Sequence, residues 1–141
     1  MKSPLDPSSG LQPSSLTFLG LDPQSHSYQR ASVVVLPVPY DGTASFRPGA
    51  REGPEAILNA SRELEEYDPE LNCEPCCVGI YTAAVVEPHF GSPEGMVERV
   101  AQAVAPVVER GKPLALLGGD HSVTVGAVRA FASRYQDLSV L

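Results

Sequence analysis

One histidine lies where an α/β protein places its reacting groups. His121 follows the apolar run Leu114–Leu117 and the glycines Gly118 and Gly119, and a helical pattern begins directly after it. Open parallel sheets bind ligands at the carboxyl ends of their strands. A neutral imidazole at that position can bind a divalent metal, and imidazole with carboxylates suits zinc, manganese or iron. A hydrogen-bonded structural histidine is the alternative, and the residue types alone favour it.

The residues beside His121 also have two interpretations each. Asp120 either caps the following helix or orients the imidazole through a hydrogen bond. Gly118 and Gly119 either let the backbone approach a site or simply make the tight turn. A phosphate-binding loop is excluded here because neither G-x-x-x-x-G-K-[ST] nor G-x-G-x-x-G occurs.

A second group of polar residues follows the first apolar run. Asp41 either faces a site at the same sheet edge or forms an Asx turn with Gly42. Arg47 and Arg51 flank a Pro-Gly pair and can contact a carboxylate, although solvated or structural roles fit equally well.

The remaining histidines and the cysteines favour no catalytic role. We expect both histidines to be exposed, His26 in the N-terminal arm and His89 in a loop. The C-x-x-C-C spacing of Cys73, Cys76 and Cys77 allows a zinc hypothesis, but no second ligand pair follows at zinc-finger spacing. Free thiols in or beside a loop are therefore the favoured interpretation. Three cysteines cannot all pair within one chain, which favours a reducing cytoplasm.

Strands and helices alternate along the chain. Continuous apolar runs predict strands at Val33–Val38 and Leu114–Leu117, a weaker strand within 78–86, and a strand that starts at Leu138. Helical spacing and capping residues predict helices from Pro54 to about Glu65, from the N-cap Ser92 to the C′ residue Gly111, and over 122–135. Pro106 predicts a kink or an early end in the second helix. This alternation predicts an α/β fold with a mainly parallel sheet.

Composition excludes several partners. The formal net charge is −7 and the ten Lys and Arg residues form no cluster, so we expect no nucleic-acid binding. The start of the chain does not resemble a signal peptide, and no apolar run has membrane-spanning length. Residues 1–31 are rich in Pro, Ser and Gly and predict an extended arm before a domain at 32–141. The apolar island Leu16–Leu21 can dock on that domain or on a neighbouring subunit.

Four stretches in order resemble the ureohydrolase (arginase/agmatinase) family. Residues 36–43 are similar to its first strand and loop, and residues 46–57 resemble its R-P-G-A-x-x-G-P-x-x-I pattern. Residues 64–71 resemble the stretch that follows in bacterial agmatinases, and residues 117–122 match the G-G-D-H-S motif. The R-P-G-A loop and the lack of an arginase-like start favour agmatinase within the family.

The resemblance implies a three-layer αβα fold and a cytoplasmic, manganese-dependent hydrolase of polyamine biosynthesis. Such an enzyme cleaves a guanidinium compound, agmatine above all, to urea and an amine, putrescine. The resemblance further implies two manganese ions with a bridging hydroxide, His121 as a ligand of one of them, and a homo-oligomer for the full-length form. Guanidinobutyrase, formimidoylglutamase and arginase are the alternative activities.

The family's other ligand motifs, D-A-H-x-D and D-x-D, do not occur in these 141 residues. We therefore expect an incomplete fold and no ureohydrolase activity from this polypeptide alone. A half-domain that acts in assembly with another chain is the non-enzymatic alternative.

Overall fold

Three parallel strands form the sheet of the computed structural model, which describes residues 11–140. The strands are β1 (Val33–Val38), β2 (Ile80–Thr82) and β3 (Leu114–Gly118), and their order is β2-β1-β3. The predicted parallel sheet is confirmed. The predicted β1 has the observed bounds, and β3 runs one residue further than predicted.

The central strand is covered on both faces. Val34, Leu36 and Val38 are fully buried in the main apolar cluster, and Val35 between them is buried outside that cluster. Because side chains alternate between the faces of a strand, β1 contributes to two apolar layers. The unbroken run of apolar residues at 33–38 is the pattern expected of such a strand.

The helices lie on both sides of the sheet. The helix α2 (Pro93–Glu109) packs on α3 (Val123–Ala132), and both contribute to the main cluster with β1. The helix α1 (Gly53–Ala60) contacts β1 and β3, and its buried Leu58 lies outside that cluster. The result is the predicted three-layer αβα arrangement. Short 3-10 turns occupy Phe18–Gly20, Ala50–Glu52, Ser61–Glu63 and Pro75–Val78.

The predicted N-cap Ser92 and C′ residue Gly111 of α2 are confirmed. Of the two alternatives predicted at Pro106, a kink or an early end, the early end is wrong. The Ser92 hydroxyl accepts a hydrogen bond from the Gly95 amide at 3.1 Å, and Gly111 after the helix has a φ of +65°. The helix continues past Pro106 to Glu109. A proline in the last turn forfeits only one helical hydrogen bond, and the carbonyl of Pro106 also accepts from the Tyr28 hydroxyl at 3.0 Å.

The described part of the predicted arm lies against the sheet. Pro13 forms an antiparallel bridge with Ala83 beside β2. The Phe18 amide donates to Thr82 Oγ1 at 3.0 Å, and the Leu19 amide donates to Ser61 Oγ at 2.9 Å. The apolar island at 16–21 therefore docks on its own domain. Residues 1–10 of the arm lie outside the described residues.

Two predicted elements are longer than the observed ones, and one is wrong. The helix α1 ends at Ala60 and passes into a 3-10 turn, and α3 is shorter at both ends than predicted. The strand predicted from Leu138 is not observed. Residues 138–140 pair with none of the three strands of the described sheet. Leu141 lies outside the described residues. Among residues 11–140, no helix combines the length and the apolar character that crossing a bilayer requires.

Candidate active site

Two loops meet at the carboxyl edge of the sheet. Val38 at the end of β1 pairs with Gly118 at the end of β3, so the following loops leave the sheet side by side. The Gly119 amide donates to the Val38 carbonyl at 3.1 Å, and the Asp120 amide donates to the Tyr40 carbonyl at 2.7 Å. These backbone bonds fix the position of the residues that reach His121.

The contact between the loops requires a glycine at position 119. A Cβ atom there would lie 2.0 Å from the Tyr40 carbonyl oxygen. A Cβ atom on Gly118 would lie 2.9 Å from a methyl group of Val123 at the start of α3. The two glycines therefore serve the close approach of the β1 loop and of α3, in addition to the turn itself.

The Asp120 carboxylate holds the two loops together. Its Oδ2 accepts from the Thr43 amide at 3.0 Å and from the Thr43 hydroxyl at 2.7 Å. Its Oδ1 accepts from the Ser122 amide at 3.0 Å and from the Ser122 hydroxyl. Partial burial raises the pKa of Asp120, but the hydrogen bonds from Ser122 and Thr43 outweigh it and lower the pKa below its ordinary value. Asp120 therefore links Thr43 in the loop after β1 to Ser122, the residue before α3.

His121 is exposed on this edge. Its ring Nδ1 lies 3.5 Å from the Thr124 hydroxyl, one helical turn further along the chain. The hydrogen bonds of the Asp120 carboxylate go to Thr43 and Ser122, so the orienting contact to the imidazole comes from Thr124. An exposed ring nitrogen beside two fixed loops is able to bind a cation from solution.

Asp41 shapes the β1 loop from a buried position. Its side chain is 1% exposed and its Oδ1 lies 2.7 Å from Nη2 of Arg51, while its Oδ2 accepts from the Gly49 amide at 2.7 Å. The bond from Arg51 and the bond from Gly49 lower the pKa of the Asp41 carboxyl. Of the two interpretations of Asp41, the Asx turn with Gly42 is wrong, because the carboxylate folds onto residues 49 and 51. Arg47 instead is exposed and lies over the Phe46 ring.

The other two histidines are half-buried, so their predicted exposure is wrong. His26 Nδ1 accepts from the Ile80 amide at 3.4 Å at the start of β2. His89 Nδ1 accepts from the Ser92 amide at 3.3 Å, just before α2. Each ring covers a backbone donor at the end of an element, and neither lies among other metal ligands in the described chain.

Within the described residues, His121 is the candidate metal ligand at this edge. Asp41 and Asp120 are occupied by internal hydrogen bonds, and His121 belongs to no group of three potential ligands within residues 11–140. A single imidazole does not hold two metal ions, so these residues alone do not fit a binuclear centre. Sequence reasoning missed the role of Thr43, which lies 77 positions from Asp120 and has no local pattern that marks it.

The sequence of this chain is similar to known proteins. Residues 31–141 match the sequence model of the arginase family. N(1)-aminopropylagmatine ureohydrolase from Synechocystis sp. is 47% identical over 109 residues, which cover 74% of this chain and 36% of that protein. Agmatinase from Bacillus subtilis is 31% identical over 114 residues, which cover 81% of this chain and 39% of the relative.

The fold of this chain is also similar to solved structures. The crystal structure of agmatine ureohydrolase of Thermoplasma volcanium superimposes with a TM-score of 0.68 at 35% identity. The superposition covers 74% of this chain and 35% of that one. The chain thus spans less than two fifths of the length of each of these three proteins.

Proposed function

The chain belongs to the arginase family, and from that premise we propose that it forms part of a metal-dependent hydrolase that releases urea from a guanidinium compound. The observation that carries the proposal is the position of His121. The residue is exposed at the carboxyl edge of the sheet, between loops tied by Asp120 and Thr43. Ligand binding at this edge is the general behaviour of open α/β sheets.

The proposed substrate carries a guanidinium group and a cationic amine tail. Agmatine, the substrate expected from sequence, fits this description, and so does N(1)-aminopropylagmatine. The relative named for aminopropylagmatine is 47% identical, against 31% for the agmatinase of Bacillus subtilis. We therefore favour the aminopropylated compound, with agmatine as the second candidate.

The proposed metal is manganese, with His121 as one ligand. When bound, divalent ions supply a hydroxide nucleophile near neutral pH, which a guanidinium group requires because it is a poor electrophile. The residues of this chain position that ligand. Asp120 and Asp41 hold the loops, and Thr124 contacts the ring on the side of Nδ1. Since one imidazole does not complete the centre, we propose that the 141-residue chain by itself releases no urea.

The test uses two proteins, the 141-residue chain and the product of its native gene. Each is incubated with Mn²⁺ and either agmatine or N(1)-aminopropylagmatine, and urea is measured. We expect no urea from the 141-residue chain. From the gene product we expect urea, with a higher kcat/KM for the aminopropylated substrate. Urea release by the short chain would refute the incomplete centre. A gene product that releases none would refute the enzyme and favour the half-domain that acts in assembly.

The role of His121 is tested in the gene product. The variant His121→Asn should lose at least about tenfold in manganese affinity, since even indirect ligand support is worth that much. The matched control is His89→Asn, which removes a half-buried imidazole from a loop before α2. Equal manganese binding by both variants would contradict the proposal.

A further inference from the structure

The segment before β2 contains a cluster of potential metal ligands, at the edge of the sheet opposite His121. Val78 and Gly79 accept from the Ser32 amide, so this segment lies beside the start of β1, at the amino ends of the strands. Gly79 has a φ of +82°, and a Cβ atom there would lie 3.0 Å from the Cα atom of Ala31. The chain is therefore fixed where it enters β2.

The backbone is also fixed at the beginning of this segment. The Asp68 amide donates to the Cys73 carbonyl at 2.8 Å, and the Cys73 amide donates back at 3.3 Å. The 3-10 turn Pro75–Val78 follows at once, with Glu74 as its N-cap residue. We call residues 73–78 the cysteine turn.

The 3-10 geometry brings Glu74 and Cys77 together. Residues three apart are nearly eclipsed in such a turn, so their side chains project in the same direction. The Cys77 amide donates to the Glu74 carbonyl at 3.0 Å, and its Sγ lies 3.6 Å from Oε2 of Glu74. Cys76 adds a buried sulfur beside them, while Cys73 is exposed.

The separations between these donors suit a small tetrahedral ion. One ligand atom each from Glu74, Cys76 and Cys77 lies within 4.8 Å of the other two. Zinc–sulfur bonds of about 2.3 Å at tetrahedral angles separate the ligand atoms by about 3.8 Å. The three donors therefore lie at most about an ångström further apart than the separations around one zinc ion.

The surroundings are acidic. No Lys or Arg occurs between Arg62 and Arg99. Four acidic residues line a cavity of about 370 Å³ that Pro75 borders, namely Glu65, Glu66, Asp68 and Glu70.

We propose that Glu74, Cys76 and Cys77 bind a thiophilic divalent cation, Zn²⁺, with water in the fourth position. Two thiolates select zinc over manganese, which prefers oxygen ligands. The site is independent of the proposed function, because it uses other residues, another edge of the sheet and another class of metal. The prediction of three free thiols is confirmed, and the proposal adds that two of them bind a cation.

The experiment titrates the purified, fully reduced chain with metal under anaerobic conditions. Zn²⁺ affinity is measured by competition with a chelating dye, and Cd²⁺ is added as a probe whose thiolate charge-transfer absorption reports sulfur ligation. We expect one equivalent of either metal and no binding of Mn²⁺ at this cluster. Cys77→Ser and Glu74→Gln should each weaken Zn²⁺ binding by about tenfold or more.

Two control variants make the result specific. Cys73→Ser removes the exposed thiol that lies outside the donor set, and His89→Asn removes a half-buried imidazole outside both candidate metal sites. Both should bind Zn²⁺ as the parent does, and circular dichroism checks that every variant is folded. Equal losses in Cys73→Ser and Cys77→Ser, unchanged affinity in Glu74→Gln, or no stoichiometric Zn²⁺ binding would each overturn the proposal.

Discussion

The two edges of the sheet are built in opposite ways. At the carboxyl edge, the position of His121 depends on contacts between distant residues, such as Thr43 and Asp120, which are 77 positions apart. At the amino edge, the donors of the cysteine turn lie within four consecutive residues, and the closing bond joins Glu74 to Cys77. The first arrangement exists only when β1 and β3 have paired. In the second, the donors are brought together by the turn itself, and the long-range hydrogen bonds from Ser32 reach only the end of the turn, at Val78 and Gly79.

This difference predicts how much stability is lost when residues at each edge are substituted. Long-range contacts transmit a disturbance from one loop to the other, because each loop supplies the hydrogen-bond partners of its neighbour. A local turn is affected mainly by changes within itself. Substitutions at the carboxyl edge should therefore cost more stability than comparable substitutions at the amino edge.

The largest effect is expected from Gly119→Ala. The new methyl group would lie 2.0 Å from the Tyr40 carbonyl oxygen, so the two loops must separate. We expect the free energy of unfolding to fall by about 3 kcal/mol, measured by urea denaturation. Gly111→Ala is the matched control, because it meets nothing within 4 Å and only its φ of +65° is unfavourable. That control should lose about 1 kcal/mol, and equal losses in the two variants would contradict the close approach.

A smaller effect is expected from Gly79→Ala at the amino edge. The methyl group would lie 3.0 Å from the Cα atom of Ala31, and the φ of +82° is unfavourable for alanine. We expect a loss of about 2 kcal/mol. Amide hydrogen exchange should accelerate at residues 73–80 and remain unchanged at residues 118–122. Acceleration at both edges would show that they are coupled and would contradict the local character of the amino edge.

The smallest effect is a change in pH dependence from Asp41→Asn. The bond from Arg51 lowers the pKa of Asp41 in the folded protein, so the unfolded chain binds a proton at higher pH than the folded one. The stability that Asp41 contributes is therefore complete above its ordinary pKa of 3.8 and is lost as the pH falls through the lowered value. The variant should show a flatter dependence of Tm on pH in that acidic range.

Arg51→Gln provides the companion measurement. It leaves the carboxyl in place but removes the guanidinium that lies 2.7 Å from it. The acid dependence of Tm should flatten in this variant as well. An unchanged slope in both variants would mean that the ion pair makes no contribution to acid stability.

Local signals explain which elements were predictable. The run of β-branched residues in β1 and the residues Ser92 and Gly111 around α2 act on their own neighbourhood, so their boundaries could be predicted closely. The place of His121 at a strand end followed from the same kind of pattern. Its role as a manganese ligand stays a prediction.

Tertiary contacts explain the rest. The spacing of Thr43 and Asp120 along the chain carries no information about their hydrogen bonds, which exist only in the paired sheet. The helix α2 continues past Pro106 to Glu109, and the Pro106 carbonyl accepts from the Tyr28 hydroxyl, 78 positions away. The spacing of the cysteines can be read from the sequence. That the Glu74 carboxylate lies beside the sulfurs of Cys76 and Cys77 follows only from the 3-10 turn.

The bridge between Pro13 and Ala83 has a consequence for how the domain is delimited. The Ser14 amide donates to the Thr82 carbonyl at 2.9 Å, and the Ala84 amide donates to the Gln12 carbonyl at 2.6 Å. Residues 12–14 thus occupy the outer side of β2, although the family match begins only at residue 31. A polypeptide shortened to begin at the family boundary would leave that border of the sheet unpaired, and neighbouring molecules would compete to extend it.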